Sequence, residues 1–266
     1  MHLSTVGVYG RPRRLPCAES APVRPRQAYE ETKARGEAIA REAPAPLAVT
    51  VLRPTIVYGP FSRYGFGVFL GTLYLALARG RASVPGLRRG PRLHAVHVHD
   101  VARAVAFVLP RDAAVGGIYN VADDTPTELS DVFALLAAEL GLATERRIPY
   151  QPVVHRLLLE AVYRWLPERR LGALNRATER RWRRMAEEIG FEPAFVPRLD
   201  RDWLLYASAE HVYDNRALAR LGFTYRFGDL RAGLRQTVRW YLDHRWLPAP
   251  DEVRRWAAAR RAGARA

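Results

Sequence analysis

The chain has 266 residues, 48% of them hydrophobic, so a large packed core is feasible and wholesale disorder is excluded. Its formal net charge is +15, but arginine is spread along the whole chain and lysine is nearly absent, which reads as a compositional habit rather than a nucleic-acid footprint. The single Cys17 excludes an internal disulfide and suits a reducing cytoplasm. No charged-then-apolar leader pattern opens the sequence, and no apolar run reaches the roughly 20 residues of a spanning helix.

In chain order, the opening apolar segment through Val8 reads as the end of a buried strand, and the Pro- and Arg-rich stretch from Arg11 to Arg26 as a loop. A helix is predicted from about Gln27 to Glu42. Leu47 to Leu52 reads as a strand that Pro54 ends. Phe66 to Ala78 has helical length and composition. Ala95 to Val98 is a predicted strand, Val101 to Leu109 a helix, and Gly117 to Val121 a strand; Thr127 is the predicted N-cap of a helix ending near Gly141. This alternation predicts an α/β fold with a parallel sheet.

Beyond Gly141 the pattern turns helical, with segments over Ile148–Leu166, Arg176–Ile189 and Asp229–Trp246, a short strand at His211–Asp214 and a short helix at Asn215–Leu221. The Ala- and Arg-rich tail from Asp251 is predicted helical. The division expected is 1–125 for the sheet domain, 126–248 for a mostly helical lobe and 249–266 for the tail. Arginines crowd between Glu168 and Arg184, interleaved with Glu179, and read first as a solvated helix face.

Tyr29 and Lys33 lie four residues apart on the predicted helix and so share a face. A free phenol, with a pKa of about 10, is a poor base at neutral pH. An ammonium about 5 Å away favours phenolate by roughly 3 kcal/mol at an effective dielectric of about 20. That brings the phenol toward the range where acid–base catalysis is efficient. Ser4 and Thr5, at the end of the first predicted strand, each offer a hydroxyl to complete a proton-transfer set. His94, His97 and His99 are close in sequence, but no carboxylate sits at a matching spacing, so no metal is expected.

The order of Leu3-Ser4-Thr5-Val6-Gly7-Val8-Tyr9-Gly10, Tyr29-Glu30-Glu31-Thr32-Lys33 and Leu52-Arg53-Pro54-Thr55-Ile56-Val57-Tyr58-Gly59-Pro60 resembles the catalytic half of an extended short-chain dehydrogenase/reductase. That group includes the NAD-dependent epimerase/dehydratases and the 3β-hydroxysteroid dehydrogenases. The resemblance implies part of a doubly wound, Rossmann-like sheet with a helical substrate lobe. It implies hydride transfer at a secondary alcohol or ketone with NAD or NADP, Tyr29 as acid and base, Lys33 on the nicotinamide ribose, and Thr5 rather than Ser4 as the third hydroxyl. It assigns Pro54, Thr55, Ile56 and Val57 to the nicotinamide and substrate pocket. His97-Val98-His99-Asp100-Val101-Ala102 and Tyr119-Asn120-Val121 match further family segments, with Asp100 capping the helix that follows it.

Two departures from the family pattern shape the expected function. Leu93 stands where nucleotide-sugar epimerases commonly carry an Arg for the diphosphate, and a one-residue shift to Arg92 would reverse the side chain's face on a strand. This favours an apolar, sterol-like substrate over a nucleotide sugar, which remains the alternative; the aromatic, basic segment Val153–Trp165 fits a lid touching membrane or an apolar ligand. No Gly-rich strand–turn–helix unit is found among the 266 residues, so the nucleotide-binding half is expected to be missing and this chain alone to hold NAD(P) negligibly. A non-catalytic remnant acting as a basic binding module is the competing reading. A small-molecule substrate is the expected partner and nucleic acid is not; a homodimer and peripheral membrane contact stay open.

Overall fold

The structure, a computed structural model, describes residues 1–42, 44, 47–194 and 196–263; the last three residues of the tail, 264–266, lie outside the described residues. In chain order it runs β1 (His2–Leu3), a 3-10 turn (Val6–Tyr9), α1 (Ala28–Arg41), β2 (Val51–Pro54), β3 (Ile56–Tyr58), α2 (Phe66–Leu77), β4 (Ser83–Leu87), β5 (Arg92–Leu93), β6 (Ala95–His97), α3 (Val98–Val108), β7 (Ile118–Val121), β8 (Thr127–Glu128), α4 (Leu129–Glu139), β9 (Ala143–Ile148), α5 (Pro152–Trp165), α6 (Glu168–Ile189), α7 (Arg201–Ala207), α8 (Arg216–Arg220), α9 (Leu230–Asp243) and α10 (Pro250–Gly263). The pairings β1–β2, β2–β7, β3–β6 and β4–β9 are all parallel, as the alternation of strands and helices predicts.

The chain forms two compact units whose segments interleave along the sequence, where composition suggested consecutive ones. The first comprises residues 1–59, 92–127 and 209–233. It holds the three-stranded sheet β1–β2–β7 and the pair β3–β6. Leu52, Val96, Ala104, Val108, Val121, Leu218 and Phe223 form its main core. A second cluster of Val6, Val8, Tyr9, Cys17 and Tyr213 packs under the 3-10 turn, with Ala34 of α1 against it. The other unit comprises residues 60–91, 128–208 and 234–266. There α2 packs on α4 and α10, α5 on α7, and the buried Tyr74, Trp182 and Phe191 meet edge to face.

Several local expectations change. The first strand stops at Leu3 instead of running through Val8, because the Thr5 hydroxyl accepts from the Gly7 N–H (3.2 Å) and turns the backbone into a 3-10 turn. Pro54 is the last residue of β2 and pairs with Val121; it needs no N–H there, since Thr55 N makes the next ladder bond to Val121 O (3.0 Å). Helix α3 begins at Val98, three residues early, because the His97 ring accepts from the His99 N–H (3.2 Å) as its N-cap. Asp100 therefore does not cap that helix. It is buried in the first turn and accepts from the Arg226 and Phe227 N–H groups (2.8 and 2.7 Å). Glu128, not Thr127, is the N-cap of α4. Ile148 ends a strand, β9, which pairs with β4; both strands were missed, their alternation being weak. His211 and Tyr213 form only isolated bridges, to Leu93 and Cys17. The basic stretch around Arg180 is not solely a solvated face: α6 buries Leu171, Trp182, Met185 and Ala186.

Candidate active site

Helix α1 begins after Gln27 and carries Tyr29 and Lys33 one turn apart on its solvent side. The Lys33 ammonium sits 5.9 Å from the centroid of the Tyr29 ring and donates to the Leu3 carbonyl at the end of β1 (3.4 Å). Tyr29 is 59% exposed, so its phenol is open to a ligand. Lys33 is the only lysine in the chain. In a sequence that uses arginine at every other cationic position, this one place takes a compact ammonium on a flexible stem instead of a planar fork.

Thr5 lies on the turn just past β1, and Gly7 of that turn packs against Glu30 of α1, so the turn and the Tyr29–Lys33 face are neighbours. The Thr5 oxygen is used as an acceptor by Gly7, which leaves its O–H to donate outward. Gly10 ends the turn with φ +60°, and a Cβ there would meet the Arg24 carbonyl at 2.2 Å, so only glycine fits. Ser4 is buried behind Thr5, beside Glu37.

Strands β1 and β2 run parallel with Leu3 level with Leu52, so Thr5 and Pro54 both emerge at the carboxyl edge of the sheet, where open α/β sheets bind ligands. The four pocket candidates divide. Pro54 and Thr55 are buried, and the Thr55 hydroxyl donates to Val121 O (3.4 Å). Ile56 is half-buried and Val57 exposed, on β3 opposite Ala95 and Val96.

Beneath this surface lies a buried polar network that sequence reasoning missed. Arg53 donates to both carboxylate oxygens of Glu37 on α1 (Nε–Oε2 3.0 Å), to the Tyr9 hydroxyl (2.7 Å) and to the Glu19 carbonyl (3.2 Å). Tyr9 in turn donates to Asn120 Oδ1 (2.8 Å), whose amide donates to the carbonyls of Cys17 and Asp214. Burial opposes ionisation of Glu37, but the Arg53 guanidinium and the Ser4 hydroxyl hold its carboxyl below the usual range. Burial likewise pushes the Tyr9 phenol up to about 12 and the Cys17 thiol up to about 11, so neither is a base or nucleophile near neutrality. The one signal in the sequence was an arginine inside an otherwise apolar strand.

The histidines serve structure. His97 is buried between Tyr58 (5.2 Å) and Phe227 (4.0 Å). Burial drives His94 down to about 4, and its Nδ1 accepts from Tyr213 N (3.0 Å). Among the described residues no group of three His, Cys, Asp or Glu is placed to hold a metal ion. Leu93 is buried, whereas Arg92 is partly exposed and forms a two-point pair with Glu210 (2.8 and 3.1 Å).

An exposed tyrosine thus lies with its lysine beside a hydroxyl at the carboxyl edge of a parallel sheet. Residues 1–122 match the NAD dependent epimerase/dehydratase family. Thr5, Tyr29, Lys33 and residues 54–57 fall within that matched span. Solved structures resemble the chain in fold. They include WbmG from Bordetella bronchiseptica in complex with NAD and UDP (TM-score 0.58, 17% identity, covering 92% of this chain and 60% of that one). The dTDP-glucose 4,6-dehydratase DesIV from Streptomyces venezuelae, with NAD and TYD bound, gives 0.56, 20%, 92% and 60%. The dTDP-glucose 4,6-dehydratase from Bacillus anthracis str. Ames, in complex with NAD, gives 0.53, 17%, 91% and 60%. The chain thus spans about three fifths of the length of these solved chains. A search of curated proteins gave no match.

Proposed function

We propose that this chain carries the catalytic segment of an NAD(P)-dependent oxidoreductase or epimerase, with Tyr29 as acid and base at a secondary alcohol or ketone. The observation that carries the reading is the sole lysine of the chain set over the Tyr29 ring and tethered to the Leu3 carbonyl, beside the Thr5 turn. The exposed Tyr29–Lys33 face suits a nicotinamide ribose, and Ile56 and Val57 offer apolar contact beside it. When bound, the nicotinamide supplies the hydride acceptor or donor. Tyr29 takes the hydroxyl proton as the substrate carbon is oxidised and returns it on reduction. Lys33 would hold the nicotinamide ribose beside the phenol, and Thr5 donates its O–H to the substrate oxygen. In the protein as its gene encodes it, Tyr29→Phe is expected to abolish NAD(P)-linked turnover without changing Tm. Retention of most activity would refute the assignment.

We infer an apolar alcohol or ketone, of sterol-like size, as the substrate. The buried Leu93 and the engagement of Arg92 with Glu210 leave no guanidinium at the expected diphosphate position. The alternative is a nucleotide sugar, in keeping with the UDP in the WbmG complex and the dTDP-glucose chemistry in the name of DesIV. Hydroxysteroids tested beside UDP- and dTDP-sugars decide it: micromolar binding of a nucleotide sugar would overturn the apolar reading.

Peripheral contact with an anionic membrane belongs to the same reading. No helix among the described residues is long and apolar enough to cross a membrane. Helix α5, however, buries none of its residues and exposes Val153, Val154, Leu157, Leu158 and Trp165 beside Arg156 and Arg164. That is the composition of a helix lying in a headgroup layer. Flotation with phosphatidylglycerol vesicles should be lost in Val154→Asp/Leu158→Asp; unchanged flotation would exclude α5 as the contact.

A further inference from the structure

The arginines between Glu168 and Arg184 do not act as a sequence cluster; the fold sorts them. Arg183 pairs with Glu179 within α6 (2.9 Å). Arg180, Arg181 and Arg184, at i, i+1 and i+4, turn instead into a cavity of about 890 Å³. Arg79, just past the end of α2, and Arg260 and Arg261, in the last turns of α10, line the same cavity, as does the Trp256 ring. Six guanidiniums, from α6, α10 and the end of α2, therefore share one concavity, and no carboxylate among the described residues lines it. Glu188 accepts from Arg184 (2.9 Å), Arg260 (2.8 Å) and the Trp256 indole (2.6 Å), and so offsets one of the six charges.

Arg181 is the most confined of the six. Its Nη2 donates to Ala78 O at the end of α2 (3.4 Å), but its Nε is buried with no acceptor among the described residues. Burial first, then repulsion from Arg79 and Arg260, disfavours its charged form. Like charges gathered in a concave, partly dry site repel one another and are stabilised when an anion enters.

We propose that this arginine-lined cavity between α2, α6 and α10 binds a small anion bearing two or more phosphoryl groups. Guanidinium forks match phosphoryl oxygens in two-point fashion, and six of them exceed what one phosphate can use. Trp256 and the apolar wall beside it give room for a carbon moiety attached to the phosphates. The site shares no residue with the Tyr29–Lys33 face.

The test is a titration of the full chain with inorganic tripolyphosphate, followed by calorimetry and by thermal unfolding, with phosphatidate-containing and pure phosphatidylcholine vesicles as parallel arms. Arg79→Gln and Arg180→Gln change exposed side chains, so the fold should persist. Each should weaken tripolyphosphate binding on the order of tenfold, the effect of one charge-assisted hydrogen bond. Without ligand, Arg79→Gln should raise Tm, because it removes a repulsive neighbour of Arg181; an arginine with a purely structural role would lower it. Arginine-dependent binding of tripolyphosphate supports a free phosphorylated ligand. The same dependence seen only with phosphatidate vesicles, whose headgroup carries a single phosphoryl group, would overturn the proposal. Binding that is equal in wild type and both variants, or binding confined to a single-stranded oligonucleotide, would overturn the proposal.

Discussion

Arg53, in the middle of β2, holds Glu37 of α1 by a two-point ion pair whose side chains are only 2% and 4% exposed. Glu37 lies one turn beyond Lys33 and two beyond Tyr29, so the pair fixes the axial position of the helix that presents them. Removing either partner leaves a buried charge, so Glu37→Ala or Arg53→Ala is expected to cost about 3–5 kcal/mol. Glu37→Leu combined with Arg53→Met should recover much of that loss. Because the native Glu37 carboxyl titrates below its unfolded value, its contribution is present above about pH 4.3 and drains away as the pH falls through the native pKa. Denaturant midpoints measured from pH 3 to 7 check both statements.

Lys33→Arg keeps the charge but not the geometry. The planar fork spreads its charge over three nitrogens and does not place a compact ammonium between the Tyr29 ring and the Leu3 carbonyl. Turnover is expected to fall by about 10²-fold or more, with Tm unchanged since both side chains face solvent. Wild-type turnover in this variant would remove the significance of the single lysine.

Thr5 has two separable duties. As N-cap of the 3-10 turn it supports local structure, and as donor it serves the reaction. Thr5→Ala should cost about 1 kcal/mol in stability and about 10²–10³-fold in turnover. Thr5→Ser retains both functions of the oxygen and should preserve both readouts. A Thr5→Ala protein that loses stability but no activity would reduce Thr5 to a cap.

Asp123, just past β7, is 1% exposed, and no cation or side-chain donor among the described residues pairs with its carboxylate. Burial, reinforced by Asp124 and Asp229, raises its native pKa well above the usual value. Below pH of about 3.9 the native and unfolded forms both hold the proton. Between that pH and the raised native pKa the unfolded chain ionises first, so the group destabilises the fold increasingly as the pH rises through that window. Asp123→Asn should therefore raise Tm at pH 7, and the gain should shrink toward pH 4. A pH-independent difference would contradict a raised Asp123 pKa.

Asp100 belongs to the loop it holds rather than to its own helix. It accepts from the Arg226 and Phe227 N–H groups and from Arg103 (2.7 Å), and Phe227 stacks on His97. Asp100→Ala orphans two partly buried backbone donors and should cost about 1–3 kcal/mol, with loss of amide protection at 226–227 as the local readout.

The sequence by itself determined the parallel α/β class, helix α1 and the Tyr29–Lys33 face it carries. These rest on short-range regularities: a period of 3.6, an i,i+4 spacing and apolar runs bounded by proline and glycine. Tertiary structure decided what joins residues far apart in the chain. The Arg53–Glu37 pair spans sixteen positions, and no helical or strand period connects them. The interleaving of the two units follows from packing, which brings residues 209–233 back to the first sheet's unit and sends 60–91 to the second. The same holds for the arginines. Their number is fixed by the sequence, but only the packing of α2, α6 and α10 turns six of them toward one cavity. Charge and burial act through space, and the chain order is silent about which distant side chains will share it.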